Sequence, residues 1–392
     1  MIAQICEESK CTGCLACMNL CPCGAITCQE REDGNVIPQI DPEKCIECHR
    51  CVQGCPENHV KEKHEPRQCY ATWQKDRKER KYSASGGIAF GFYKRWIQNA
   101  GIVYGAAFNE KGILTQQKAE TLEEARKFRG SKYVQSYNGF SYSEIGKELK
   151  KGKKVLFIGT PCQIAGLKAY LGKASDALVT IDLICHGTPP MSYLEEYIKE
   201  IAGAEKVDRV SFRGEKDYHM VFYSQDRVVY SQRFRKDLYY TAYLQGIIHR
   251  ENCYKCEYAD KRRISDLTIG DFWGIDRKSL KVPYKGKISV VLVNSEKGRK
   301  FWDLVKDEFI YEERSLEEAV KGNVPLQRPA ALPKDRMKFI EVYKEKGFMS
   351  AVKTPGVQKA IEEAKVKDNL FYRILGKIKR PASYSQYLKD KK

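Results

Sequence analysis

Two stretches near the start of the chain, CTGCLACMNLCP from Cys11 and CIECHRCVQGCP from Cys45, repeat one pattern at an offset of 34 residues. The pattern is Cys-x2-Cys-x2-Cys-x3-Cys-Pro. Three closely spaced thiolates can take three irons of a cube, and the fourth, before the proline, reaches across to a second cube. By that rule Cys11, Cys14, Cys17 and Cys55 hold one 4Fe–4S cluster, and Cys45, Cys48, Cys51 and Cys21 hold the other. A zinc site or free buried thiols would be the bland reading, and the tandem repetition argues against both. AITCQEREDGNVIPQIDP, between the repeats, reads as a hairpin turning at Asp33-Gly34.

Residues 1–65 are therefore expected to form a ferredoxin-type α+β domain with two clusters. Glu47 and His49 stand where the first repeat has Gly13 and Leu15, so the two cubes are expected to differ in potential. Cys6, Cys23, Cys28 and Cys69 fall outside the pattern and read as small residues near the clusters.

Sixteen cysteines, twelve of them before residue 70, are not spread as a disulfide framework would be over 392 residues. The formal charge of +18 falls to about +12 if three clusters each carry roughly −2. The basic residues are scattered rather than striped, which argues against nucleic acid and leaves an acidic redox partner, an anionic substrate or a peripheral membrane contact. No apolar run nears the ~18 residues of a spanning helix. MIAQICEESKC has neither a basic n-region nor an apolar h-region, so the expected location is cytoplasmic.

The charged, aperiodic segment at 66–81 reads as a linker. Beyond it, helical and strand patterns alternate. SASGGIAFGFYKRWIQNA, TLEEARKF, YSEIGKELKKG, PCQIAGLKAYLG and MSYLEEYIKEIAG read as helices. GIVYGAAF, KKVLFIGT, ALVTIDLIC and DRVSFRG read as strands, and HMVFYSQDRVVYSQRF as a hairpin. The fold class is thus α/β (α+β overall), a partly parallel mixed sheet over 82–345 followed by a helical basic tail at 346–392 that contains NLFYRILGKIKR.

Four cysteines remain: Cys162, Cys185, Cys253 and Cys256. Cys162 and Cys185 each follow a strand, and the carboxyl ends of parallel strands share one edge. With the Cys-x-x-Cys pair they would complete a four-thiol site. Other readings stay open on chemistry alone. Cys162 could be a helix-start nucleophile, Cys185-His186 a Cys/His catalytic pair, and Cys253/Cys256 half of a zinc knuckle.

SASGGIAFGF, FRGSKYVQS, VLFIGTPCQIAGLKAYL, IDLICHGTPP, CYKC, DLTIGDFWGI and PKDRMKFIE resemble, in order, the beta subunit of the coenzyme F-420 hydrogenase/dehydrogenase family over about residues 80–345. The resemblance implies FAD and one further 4Fe–4S cluster in the body, held by Cys162, Cys185, Cys253 and Cys256. It makes Ser85, Gly86 and Gly87, opening a helix, a candidate pyrophosphate cradle. Gly130, Ser131, Lys132 and Tyr133 become a second contact, with Lys132 on a phosphate or the flavin, and Gly159 and Thr160 candidates for the flavin face. Asp271 reads either as structural or as orienting a loop on the cluster side.

These parts describe an oxidoreductase linking a one-electron donor, ferredoxin or similar, through three 4Fe–4S clusters to FAD, which exchanges hydride with a small molecule or a deazaflavin-type coenzyme. The alternative is an electron-transfer subunit serving a separate catalytic polypeptide, in some relatives associated with polysaccharide synthesis.

Overall fold

The computed structural model describes residues 4–213 and 218–367. Ile26–Glu30 (β1) and Val36–Ile40 (β2) pair antiparallel with Glu30 opposite Val36. Gly34 turns this hairpin at φ +76°, its N–H bonded to Arg31 O. In the first repeat Gly13 and Leu15 are left-handed (φ 65° and 64°), and in the second so are Glu47 and His49 (φ 53° and 56°). The cysteine wrap thus imposes the same two backbone reversals on each repeat. The second repeat makes them without glycine, at a cost of order 1 kcal/mol per residue.

The main sheet has eight strands: Gln68–Gln74 (β3), Ile102–Phe108 (β4), Leu114–Ala119 (β5), Val155–Gly159 (β6), Leu178–Leu183 (β7), and three more described below. A separate antiparallel sheet of Arg209–Ser211 (β8), His219–Ser224 (β9) and Arg227–Arg233 (β10) follows in the chain. Leu267–Asp271 (β11), Ser289–Val293 (β12) and Phe309–Glu313 (β13) then return to the main sheet. Its order is β13-β3-β12-β11-β7-β6-β4-β5; β4, β6, β7 and β11 run parallel and the outer pairings are antiparallel. Fully buried VLFIG and SVVLV are the continuous apolar runs that a sheet covered on both faces requires.

The linker expected over 66–81 is corrected. β3 is an interior strand there, with Trp73 only 1% exposed and stacked on Tyr284 at 4.6 Å between ring centroids. QCYATWQ is buried on both faces, so it shows no alternation, and the charged stretches on either side hide it. The body accordingly begins at Gln68 rather than residue 82, leaving only Arg77–Lys81 as a surface helix. The C-terminal helices Arg336–Lys346, Phe348–Ala351 and Pro355–Lys367 are present, but they are not a loose tail. Phe348, Val352, Val357 and Ile361 pack into one core with Tyr193, Tyr197 and Tyr239. NLFYRILGKIKR lies outside the described residues.

Candidate functional site

Cys11, Cys14, Cys17 and Cys55 line one small void. Burial pushes Cys14 up to about 12 and raises Cys17, with Cys14, Cys11 and Cys55 adding to the second, whereas neighbouring Cys6 lowers Cys11 and Cys55. The other group is more open, with Cys51 buried, Cys21 and Cys45 half-buried and Cys48 exposed. Cys51 is raised by burial and, more weakly, by Cys21 and Cys45. Cys55 thus lies with the first three cysteines of the first repeat, and Cys21 lies near Cys45 and Cys51 of the second. Cys6 lies beside Cys11 and Cys55, and Cys23 Sγ lies 3.7 Å from Cys21 Sγ. No spacing rule marks either residue; only the folded chain brings them there.

The Cys11 group faces the body. Asn138 Nδ2 donates to Cys14 O (2.9 Å), Gln135 Nε2 to Thr12 O (3.0 Å), and buried Arg250 donates to Cys11 O (3.2 Å), Val36 O (3.2 Å) and Gln135 Oε1 (2.9 Å). Gly166, on the helix Pro161–Leu171, makes room for the module, since a Cβ there would stand 3.0 Å from Cys14 Sγ.

That same helix carries Cys162 in its first turn. Pro161 opens it, and Thr160 with Gln163 closes a capping box at its start. Cys185 follows β7, with the Gly187 N–H donating to its sulfur at 3.4 Å. Cys253 and Cys256 sit on and just after the single turn Glu251–Lys255. All four line one cleft. Burial pushes Cys185 up to about 12 and Cys256 to about 11, and Cys162 well up, with the other thiols adding to each shift. A nucleophilic cysteine needs a lowered pKa, so these shifts speak against the nucleophile readings. Thiols that raise one another in a dry site ionise when a cation shares their charge. Among the described residues no three or more His, Cys, Asp or Glu converge as a single-ion site. A four-iron cube is a larger body that takes one thiolate at each iron, and the donor set fits it.

Between the Cys11 group and Cys162 stand two buried phenols. Tyr142 lies in the fields of Cys14, Cys162 and Cys17 and donates to Gln163 O at 2.9 Å. Tyr258 lies near Cys162 and Cys14 and donates to Glu57 Oε1 at 2.9 Å.

The cleft encloses ≈ 2590 Å³, well beyond the ~300–1,000 Å³ of an ordinary small-ligand pocket. Ser85 and Gly87 line it at the start of the helix Ile88–Gln98, together with Ile88, Ala89 and Phe90 of its first turn; Gly87 is the N-cap at φ +84°. Gly86 does not face the cleft. Its N–H donates to Ser289 Oγ (2.9 Å), its carbonyl accepts from Gln74 N (2.8 Å), and a Cβ would stand 2.4 Å from Thr72 O. Gly86 is there so that the loop can lie against β3 and β12.

Gly130, Ser131, Lys132, Tyr133, Gly159 and Thr160 all line the cleft. Gly130 takes φ +81° with open space around it. Lys132 Nζ donates to Phe128 O (2.8 Å) and Arg129 O (2.9 Å), and burial pulls it down to about 7; its amine holds its own loop together. Tyr133 OH accepts from Arg213 Nη2 at 2.8 Å, and Arg213 also grips Asp271 with two bonds of 2.6 and 3.1 Å. Burial alone would raise the Asp271 carboxyl, but Arg213 overcomes it and holds the group below its ordinary value. Asp271 therefore orients Arg213 on the cleft wall, which the sequence left undecided.

A dicluster iron–sulfur module docked on a mixed-sheet body with a deep cleft defines the class, an iron–sulfur electron-transfer protein. Residues 10–59 match the model described as 4Fe-4S dicluster domain. Residues 152–319, with all four body cysteines, match the model for the C terminus of the coenzyme F420 hydrogenase/dehydrogenase beta subunit. Both matches agree with the resemblance that the motifs carry, and the beta-subunit match covers the body's middle stretch. The F subunit of the F(420)H(2) dehydrogenase of Methanosarcina mazei is 24% identical over 324 residues, covering 78% of this chain and 85% of that protein. A chain of the F420-reducing NiFe hydrogenase complex from Methanosarcina barkeri aligns at 17% identity and TM-score 0.45, covering 79% of this chain and 97% of its own.

Proposed function

We propose that the chain carries three 4Fe–4S clusters and FAD and passes electrons between a one-electron partner protein and a two-electron acceptor or donor. Cys11, Cys14, Cys17 and Cys55 would hold the inner cube of the module, and Cys45, Cys48, Cys51 and Cys21 the outer one. Cys162, Cys185, Cys253 and Cys256 would hold the third. FAD supplies the exchange between single electrons and pairs.

One observation carries the reading: the four body thiols line one cleft with the helix start at Ile88, and Cys162 among them shares the neighbourhood of Tyr142 with the module's Cys14 and Cys17. The exposed Cys48 side of the module is the entry face for a ferredoxin-like donor, and Ile46, 64% exposed, offers it an apolar contact. The helix start at Ile88, with Ser85 and Gly87, would bind the cofactor's pyrophosphate. The dehydrogenase name of the Methanosarcina mazei relative supports a deazaflavin-type coenzyme as one acceptor or donor. It equally favours a second reading, that the chain is a subunit delivering electrons to a separate catalytic polypeptide. A cytoplasmic location accords with the described residues, where no helix is long and apolar enough to cross a membrane.

Anaerobic purification with iron, sulfide and flavin analysis tests the proposal. The expected content is about twelve irons and one FAD per chain. About eight irons would remove the third cluster, and a flavin-free protein that takes up no FAD would overturn the flavin reading. Turnover of dithionite with candidate acceptors in the absence of any partner would exclude the pure-subunit reading.

A further inference from the structure

His249 is 3% exposed and lines the cleft, and among the described residues neither of its ring nitrogens makes a well-formed hydrogen bond, although the Tyr243 backbone lies close to the ring. Leaving such a group dry costs free energy, so an orphaned imidazole at a cleft wall points to something that bonds it there. The ring is held in place. It packs edge-on to Tyr243 (centroids 5.2 Å apart) and lies stacked with Tyr254 (6.2 Å). Gly187, at φ +112°, closes the third side, where a Cβ would stand only 2.5 Å from Nδ1. Burial keeps the imidazole neutral, so it offers one N–H donor and one bare nitrogen acceptor.

These neighbours place His249 against the loop that follows Cys185, in the same cleft that the helix start at Ile88 lines. If the pyrophosphate of a dinucleotide sits at that helix start, its ring system is the part that extends toward the body cysteines. A flavin ring edge carries carbonyl and ring-nitrogen acceptors beside an N–H donor, which matches a neutral imidazole. We propose that His249 hydrogen-bonds the flavin ring edge and so sets both the affinity for FAD and the flavin's potential. The proposal rests on the FAD reading above. A hydrogen bond to the ring changes how well it holds added electrons, which is how a protein tunes a bound cofactor.

The test uses the full-length protein, purified anaerobically, with wild type, His249→Gln and His249→Phe compared. FAD affinity is read by fluorescence titration of flavin-depleted protein and flavin potential by spectroelectrochemistry. Iron content and cluster electron-spin signals serve as the fold control. His249→Phe should keep its irons, bind FAD about tenfold more weakly and shift the flavin potential. His249→Gln, which still offers a donor and an acceptor, should recover part of both. Unchanged affinity and potential in both variants would overturn the role of His249 while leaving the FAD reading intact. A shift confined to the body cluster's signals would overturn it as well, assigning the imidazole to the cluster. Failure of wild type to bind FAD at all would sink both readings together.

Discussion

Eight of the cysteines from 11 to 55 fall into one repeated spacing, whereas the four of the body are strung from 162 to 256 with no repeat. In the module, local turns suffice: left-handed residues between the cysteines curl each short segment back on itself, the first of them round a small void. In the body, β6 and β7 must pair in parallel register, and a segment some seventy residues further on must dock, before four thiols share one cleft. Local spacing therefore makes a site that a few dozen residues can form. Topology makes one that forms only when the whole sheet does.

The sharpest way to break this contrast is to remove one body thiol. Cys185→Ala should lose about four of about twelve irons and stop electron delivery to the flavin, while leaving about eight irons in the module. Iron and sulfide analysis with electron-spin spectra checks it; loss of all the irons would show that the two regions are not independent.

Next comes the joint between them. Arg250→Ala leaves the carbonyls of Cys11 and Val36 without a buried donor. It should cost about 2–3 kcal/mol in urea unfolding of the holoprotein, with slower reduction of the body cluster by donors that enter through the module.

Gly166→Ala sharpens the same joint. Mid-helix, alanine normally gains about 1 kcal/mol over glycine. Here its Cβ would come 2.9 Å from Tyr142 OH and 3.0 Å from Cys14 Sγ, so thermal unfolding should show a loss instead.

The smallest effects belong to the thiols outside both ligand sets. Cys6→Ala and Cys23→Ala should each retain the full iron content and change stability by under about 1 kcal/mol. Loss of about four irons from either variant would make that cysteine a ligand.

Much of the architecture was legible before folding. PCQIAGLKAYLG formed the helix its pattern predicts, and Asp33-Gly34 turned its hairpin. β3 was not legible, because a strand buried on both faces alternates nowhere, and its neighbours in the sheet, β12 and β13, lie more than two hundred residues away. Gly86 looked like a phosphate contact because glycine before a helix serves either a ligand or a close backbone approach. Only the position of Thr72 decides for the second. Lys132 was read as a phosphate or flavin contact, and its bonds to the carbonyls of Phe128 and Arg129 come into view only in the folded chain.

The sequence alone determined the dicluster module, because metal-ligand spacing is a property of the chain itself. The tertiary structure decided which of the module's cysteine groups faces the body, that Arg213 is held on the cleft wall by Asp271, and that His249 stands buried there without a well-formed hydrogen bond at its ring nitrogens among the described residues. Those facts depend on distances between residues far apart in the chain, and such distances are set only when the sheet closes and its faces are packed.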